Sequence, residues 1–184
     1  MRLFVLLRAL DAATCRRIRQ AMDAGVVEPV EVLGPTIVLD ETVRRAHAIE
    51  VGGETLERVE SLFDACRPAV AAFFDVPLTG REGTGLLRYR AGDFYRPHRD
   101  RAERSSWPDA ARRRLSIVLF LSSCREVDPT GLFSGGVLRL YPPGENPEDV
   151  QPREGMLVVF PSDVLHEVTE VSDGVRDVAV DWYY

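Results

Sequence analysis

Six short β-rich runs fill the second half of the chain and leave it few ways to fold. They are GLLRYR (85–90), RLSIVLFLSS (114–123), GVLRLY (136–141), GMLVVF (155–160), LHEVTEV (165–171) and RDVAVDWYY (176–184), and turn-forming stretches such as DPTGLF and PPGENPED separate them. Strands of this length, recurring roughly every 8–20 residues with Gly, Pro, Asp and Asn in the gaps, indicate a β-sandwich or barrel.

The first half reads differently. Its opening apolar run, Leu3 to Leu7, is cut by Arg8. A secretory signal needs about 7–15 uninterrupted apolar residues, so a first strand is expected there instead. Asp11 is placed to cap a helix in which Leu10, Thr14, Ile18, Ala21 and Met22 keep helical spacing until Gly25. A second helix begins near Glu54 and carries Leu56, Val59, Leu62, Phe63, Cys66, Val70, Phe73 and Phe74 on its apolar face. Pro68 removes one backbone donor from it and predicts a kink. His47 falls in a candidate strand just before, as a surface or core-edge residue. The expected architecture is α+β, with N-terminal helices packed on a β-sandwich.

A chain of 184 residues is most economically one domain. No apolar run approaches the ~20 residues needed to span a bilayer, so no membrane role is expected. Cys15, Cys66 and Cys124 are odd in number and far apart, which suits reduced thiols in a cytoplasmic protein. All 23 basic residues are Arg, so Schiff-base and P-loop lysine chemistry is excluded. The net charge of −6 argues against wholesale nucleic-acid binding. Nine of the arginines nevertheless fall between residues 88 and 114. Such a stretch either attracts a small anion or forms a solvated arginine face.

That stretch contains DFYRPHRD (93–100), with His98 and Asp100 at i and i+2, on one face of an extended strand. His166 opens a later run. Two imidazoles and a carboxylate can form the facial triad that holds Fe(II) while leaving positions open for substrate and O₂. Ten residues on, Arg176 can grip the distal carboxylate of a small dicarboxylate such as 2-oxoglutarate. A kinase catalytic loop is excluded, because Ser105 stands where its Asn belongs and no β3 lysine exists. A structural zinc site lacks a suitably spaced fourth ligand, and a Ser–His–Asp hydrolase lacks its nucleophile elbow.

Together, YRAGDFYRPHRD, RRLSIVLFLSS, FSGGVLRLYP and VQPREGMLVVFPSDVLHEVTEVSDGVRDVAVDWY resemble the prolyl 4-hydroxylase-like branch of the Fe(II)/2-oxoglutarate oxygenases, over about residues 84–184. The resemblance implies a double-stranded β-helix (jelly-roll) core at 84–184, with 1–83 as a helical support region of a single domain. It implies that His98, Asp100 and His166 bind iron, that Arg176 holds the C5 carboxylate of 2-oxoglutarate, and that Tyr89 lines the co-substrate pocket. Tyr95 and Trp182 would line the mouth where substrate meets iron.

The implied activity is hydroxylation of an unactivated C–H bond with Fe(II), 2-oxoglutarate and O₂, most readily of a prolyl residue in a protein or peptide. The alternatives are a free amino acid or small metabolite as substrate, or a non-catalytic metal-binding jelly-roll interaction module. The chain also departs from the pattern. Phe120 stands where the animal oxygen-sensing enzymes carry a tyrosine that helps hold 2-oxoglutarate, leaving Ser116 or Tyr89 to compensate. Trp182 replaces the second arginine usual in nucleic-acid demethylases, which argues against base dealkylation. Gly135 and Gly136 suit a bulge or close backbone approach, and loop 124–134 suits a lid or a long hairpin connection. Trp107, Pro108 and Arg112 to Arg114 are candidates for substrate capture.

Overall fold

The computed structural model describes residues 1–30, 40–102 and 108–184. Trp107 lies outside the described residues. In chain order, β1 (Phe4–Leu6) and α1 (Ala12–Asp23) precede three strands, β2 (Val26–Pro29), β3 (Arg44–Arg45) and β4 (His47–Glu50), and then α2 (Gly53–Phe74). Apart from a short 3-10 turn at Pro108–Ala111, the rest is sheet. Its strands are β5 (Gly85–Arg90), β6 (Phe94–His98), β7 (Leu115–Phe120), β8 (Phe133–Gly135), β9 (Leu138–Tyr141), β10 (Glu148–Val150), β11 (Leu157–Pro161), β12 (Leu165–Val168) and β13 (Val171–Tyr183).

These strands make two antiparallel sheets. The larger runs β1-β11-β7-β13-β5-β4-β2, with β8 joined to the start of β13, and the smaller runs β10-β9-β12-β6-β3. Alternation along the strands builds two cores from one sheet. Leu86, Leu119, Leu157, Val159 and Ala179 face the helices, where they meet Cys15, Ile18, Met22, Val59, Phe63 and Val70. Their neighbours Leu87, Phe120, Val158, Phe160 and Val178 face inward and pack against Leu138, Leu140 and Val168 of the smaller sheet. This is the expected α+β arrangement, a jelly-roll with helices on one sheet.

Asp11 caps α1 as expected, accepting from the Thr14 backbone N–H at 2.8 Å and the Thr14 hydroxyl at 2.9 Å. The second helix continues through Pro68 and ends where Asp75 turns left-handed (φ 57°). Residues 1–83 supply more than helices: β1, β2 and β4 extend the larger sheet, and β3 extends the smaller. The run LHEVTEV divides between two strands. At Thr169 the backbone still pairs with the Val137 carbonyl, but Val171 has turned to the Asp93 carbonyl and begins β13. The last strand thus starts five residues before Arg176.

Candidate active site

The two histidines meet across the smaller sheet, where His166 on β12 is the register partner of His98 on β6. Each Nδ1 lies 2.9 Å from a backbone carbonyl two residues earlier, Arg96 for His98 and Val164 for His166. A neutral imidazole that donates from Nδ1 keeps its Nε2 lone pair free for a metal. Both Nε2 atoms point at Asp100, with His98 Nε2 3.5 Å from Oδ1 and His166 Nε2 3.5 Å from Oδ2.

Strand alternation does not orient Asp100, because β6 ends at His98. The Ser116 hydroxyl on β7 does so instead, donating to Oδ2 at 2.6 Å. Burial works to raise the Asp100 carboxyl, but the two imidazoles and Ser116 outweigh it and hold it far below the ordinary carboxylate range. Burial, and then the neighbouring His166, push the His98 imidazole down to about 4. One donor atom from each residue lies within 4.8 Å of the other two. Two imidazole nitrogens and one ionised carboxylate make a donor set that fits a divalent metal of the Fe(II) type.

A second group fits beside it. Arg176 on β13 is 1% exposed, yet its Nε and Nη1 are buried with no hydrogen-bond partner among the described residues. Its Cζ lies 5.0 Å from the ring of Tyr89, its register partner on β5, and 5.4 Å from the ring of Phe120. Burial lowers the guanidinium to about 10. An anion would repair this unpaired cation, and the fork of a guanidinium matches a carboxylate. Gly136 makes room: its φ is +59°, and a Cβ there would lie 2.9 Å from Arg176 Cδ.

Metal donors and cation open on one cavity of about 230 Å³. His98, Asp100, His166, Arg176, Tyr89, Tyr95 and Trp182 all line it. Arg176, Val178, Val180 and Trp182 form a row on the inner face of β13, which spans roughly 20 Å at the usual rise per strand residue. Tyr95 stacks on His98 with centroids 3.4 Å apart and planes at 16°, and the Arg44 guanidinium lies 4.4 Å from the Tyr95 ring centre.

Other expectations resolve differently. Ser116 does not stand in for a tyrosine at Phe120, since its proton goes to Asp100 and its oxygen lies 3.0 Å from the Ser162 hydroxyl. Of Arg112 to Arg114, only Arg113 lines the cavity. No residue of loop 124–134 does, and His47 lies outside it, 3.5 Å from Asp93. Residue spacing missed Arg44 and the Ser116 contact, and it offered Arg113 only as one of three neighbouring arginines, because each role depends on segments that meet only in the fold.

Comparison with known proteins agrees with this geometry. The profile of the 2OG-Fe(II) oxygenase superfamily matches residues 84–184. A PKHD-type hydroxylase of Prochlorococcus marinus (strain MIT 9211) is 36% identical over 100 residues, covering 54% of this chain and 40% of that protein. One of Gluconacetobacter diazotrophicus is 39% identical over 97 residues, covering 52% and 40%. The chain thus spans about two fifths of the length of these curated relatives.

Among solved structures, a Pseudomonas putida prolyl-4-hydroxylase superposes with a TM-score of 0.76 at 28% identity, covering 98% of this chain and 91% of that one. A prolyl hydroxylase from Trichoplax adhaerens, solved with a hypoxia inducible factor peptide fragment, gives 0.79 at 19% identity over 99% and 83%, a likeness of fold. With the sequence profile covering the whole jelly-roll half, and a metal-binding donor set and a buried arginine in one cavity there, the chain belongs to the 2OG-Fe(II) oxygenase superfamily.

Proposed function

We propose that this protein is an Fe(II)- and 2-oxoglutarate-dependent hydroxylase that acts on a prolyl residue of a peptide or protein. The observation that carries the reading is Arg176, a buried cation with two nitrogens that have no hydrogen-bond partner among the described residues, in the same cavity as the His98–Asp100–His166 donors. When bound, iron, 2-oxoglutarate and O₂ supply the oxidising chemistry that converts a C–H bond to C–OH, with succinate and CO₂ as the other products.

The chain supplies position and exclusion. His98, Asp100 and His166 hold the metal, and their partners Arg96 O, Val164 O and Ser116 fix ring tautomers and carboxylate orientation. Arg176 takes the C5 carboxylate of 2-oxoglutarate, with Tyr89 and Phe120 as walls. Leu87, Val118, Val178 and Val180 keep water from the cavity. Tyr95 and Trp182 stand as the substrate walls. No side-chain general base is assigned. The prolyl substrate is supported by the solved neighbours, which are prolyl hydroxylases, one of them with a peptide. The reading treats the chain as one oxygenase unit acting in the cytoplasm, in keeping with three buried free thiols; among the described residues no helix is long and apolar enough to cross a membrane.

The test is an anaerobic titration with Fe(II) and then 2-oxoglutarate, followed by oxygen and either proline-containing peptides or free proline. A visible charge-transfer band that is lost in His98→Ala, and a peptide gaining one oxygen atom, are expected. A folded protein with no band would overturn the assignment; turnover of free proline alone would overturn the peptide substrate.

A further inference from the structure

Arg113 makes more contacts at the site than any charge-pairing role requires. It precedes β7, is 3% exposed, and lines the cavity. Its Nε and Nη2 form a fork on Glu82 at 2.6 and 2.5 Å. Its Nη1 donates to the backbone carbonyl of Asp100 at 3.2 Å. The flat face of the same guanidinium lies over the indole of Trp182, with Cζ 3.7 Å from the ring centre. The Glu82 backbone N–H donates in turn to the Trp182 carbonyl at 2.9 Å. The edge of one planar group thus holds the loop that carries a proposed metal ligand, its face holds an indole of the cavity wall, and a carboxylate fixes the plane.

We propose that Arg113 is a positioning residue that sets the Trp182 wall relative to Asp100, so that substrate held against the indole is brought into register with the metal-holding side chains. This rests on the oxygenase reading above. The geometry calls for arginine specifically. A lysine offers a point charge, without a rigid fork for Glu82 and a flat face for an indole. The stacked guanidinium also restricts the indole, which otherwise has two rotatable side-chain bonds. Positioning of this kind is worth a great deal to a hydroxylase, because a reacting group misplaced by about 1 Å costs roughly a hundredfold in rate.

Three variants test it in a Trp107→Phe background, which leaves Trp182 as the sole tryptophan: Arg113→Lys, Arg113→Gln and the double variant Arg113→Gln/Glu82→Gln. The double variant removes both partners of the Arg113–Glu82 pair together, so neither member of that pair is left as an uncompensated charge. The first readout needs no turnover: Trp182 emission and anisotropy, measured without ligands. All three variants are expected to shift the emission and lower the anisotropy, while the Fe(II)–2-oxoglutarate band still forms, with metal affinity weakened by roughly tenfold because the Asp100 loop has lost one support.

The second readout is the ratio of succinate formed to peptide hydroxylated. It is expected to rise in all three variants as kcat/KM for peptide falls by roughly a hundredfold. Wild-type emission, anisotropy and product ratio in the double variant, with only the melting temperature lowered, would reduce Arg113 to a stabilising ion pair and overturn the proposal. Should the wild-type protein itself make no succinate with any peptide, the oxygenase reading fails, while the emission measurement still decides whether Arg113 places Trp182.

Discussion

At the scale of single residues the site is governed by a cation that has no counter-ion among the described residues. Burying a guanidinium without a partner is costly, and two nitrogens of Arg176 are in that state. Arg176→Met should therefore stabilise the ligand-free protein by about 1–3 kcal/mol while weakening 2-oxoglutarate binding by roughly a hundredfold, with metal affinity kept. Thermal melts with and without Fe(II) and 2-oxoglutarate check both halves. Ligand should raise the wild-type transition far more than that of the variant, and a ligand-free variant less stable than wild type would refute the account. His98, Asp100, His166 and Arg176 were legible in the sequence because their chemistry is rare and their intervals are short, with Asp100 two residues past the end of β6 and Arg176 ten residues beyond His166 of β12. The roles of Ser116, Glu82 and Arg113 were not legible: an ordinary serine and an ordinary ion pair acquire them only when β7 closes on the Asp100 loop.

The elements follow a similar division. Apolar strands such as GLLRYR announce themselves, and that run forms β5 over the same residues. The strands β3, with sequence RR, and β10, with sequence EDV, carry little β-preference of their own beyond Val150; they form because β6 and β9 offer them hydrogen bonds. Helix α1 was legible because its cap is local. That cap also carries a pH signature. The Thr14 backbone N–H, and then its hydroxyl, hold the Asp11 carboxyl below its ordinary value of 3.8. The group contributes stability in full above that value and loses it as pH falls through the depressed folded value. Asp11→Ala should melt below wild type at neutral pH, and the gap should narrow below pH 3.8. Asp11→Asn keeps an acceptor and should hold a smaller gap at neutral pH. A gap between wild type and Asp11→Ala that ignores pH would show that the carboxylate is not the cap.

For the whole molecule, the larger sheet divides stability from chemistry. Phe63 fills the helix-side core, while Phe160 fills the inner core and meets His166 edge-on, with centroids 4.9 Å apart. Replacing either with Ala should cost about 3–5 kcal/mol. Only Phe160→Ala should also weaken Fe(II) binding, by roughly tenfold, since it frees a ligand ring. Denaturant melts paired with metal titrations separate the two, and equal metal affinities would show that the inner core does not brace the site. The six-residue interval between Arg176 and Trp182 has a different kind of consequence. It lies on a strand locked by β5 on one side and β7 on the other. A single inserted or deleted residue within it would turn one of the two side chains toward the helices. Inheritance can therefore lengthen this ruler only two residues at a time, and divergence among descendants of this chain is left to substitutions at the mouth and to the loops around it.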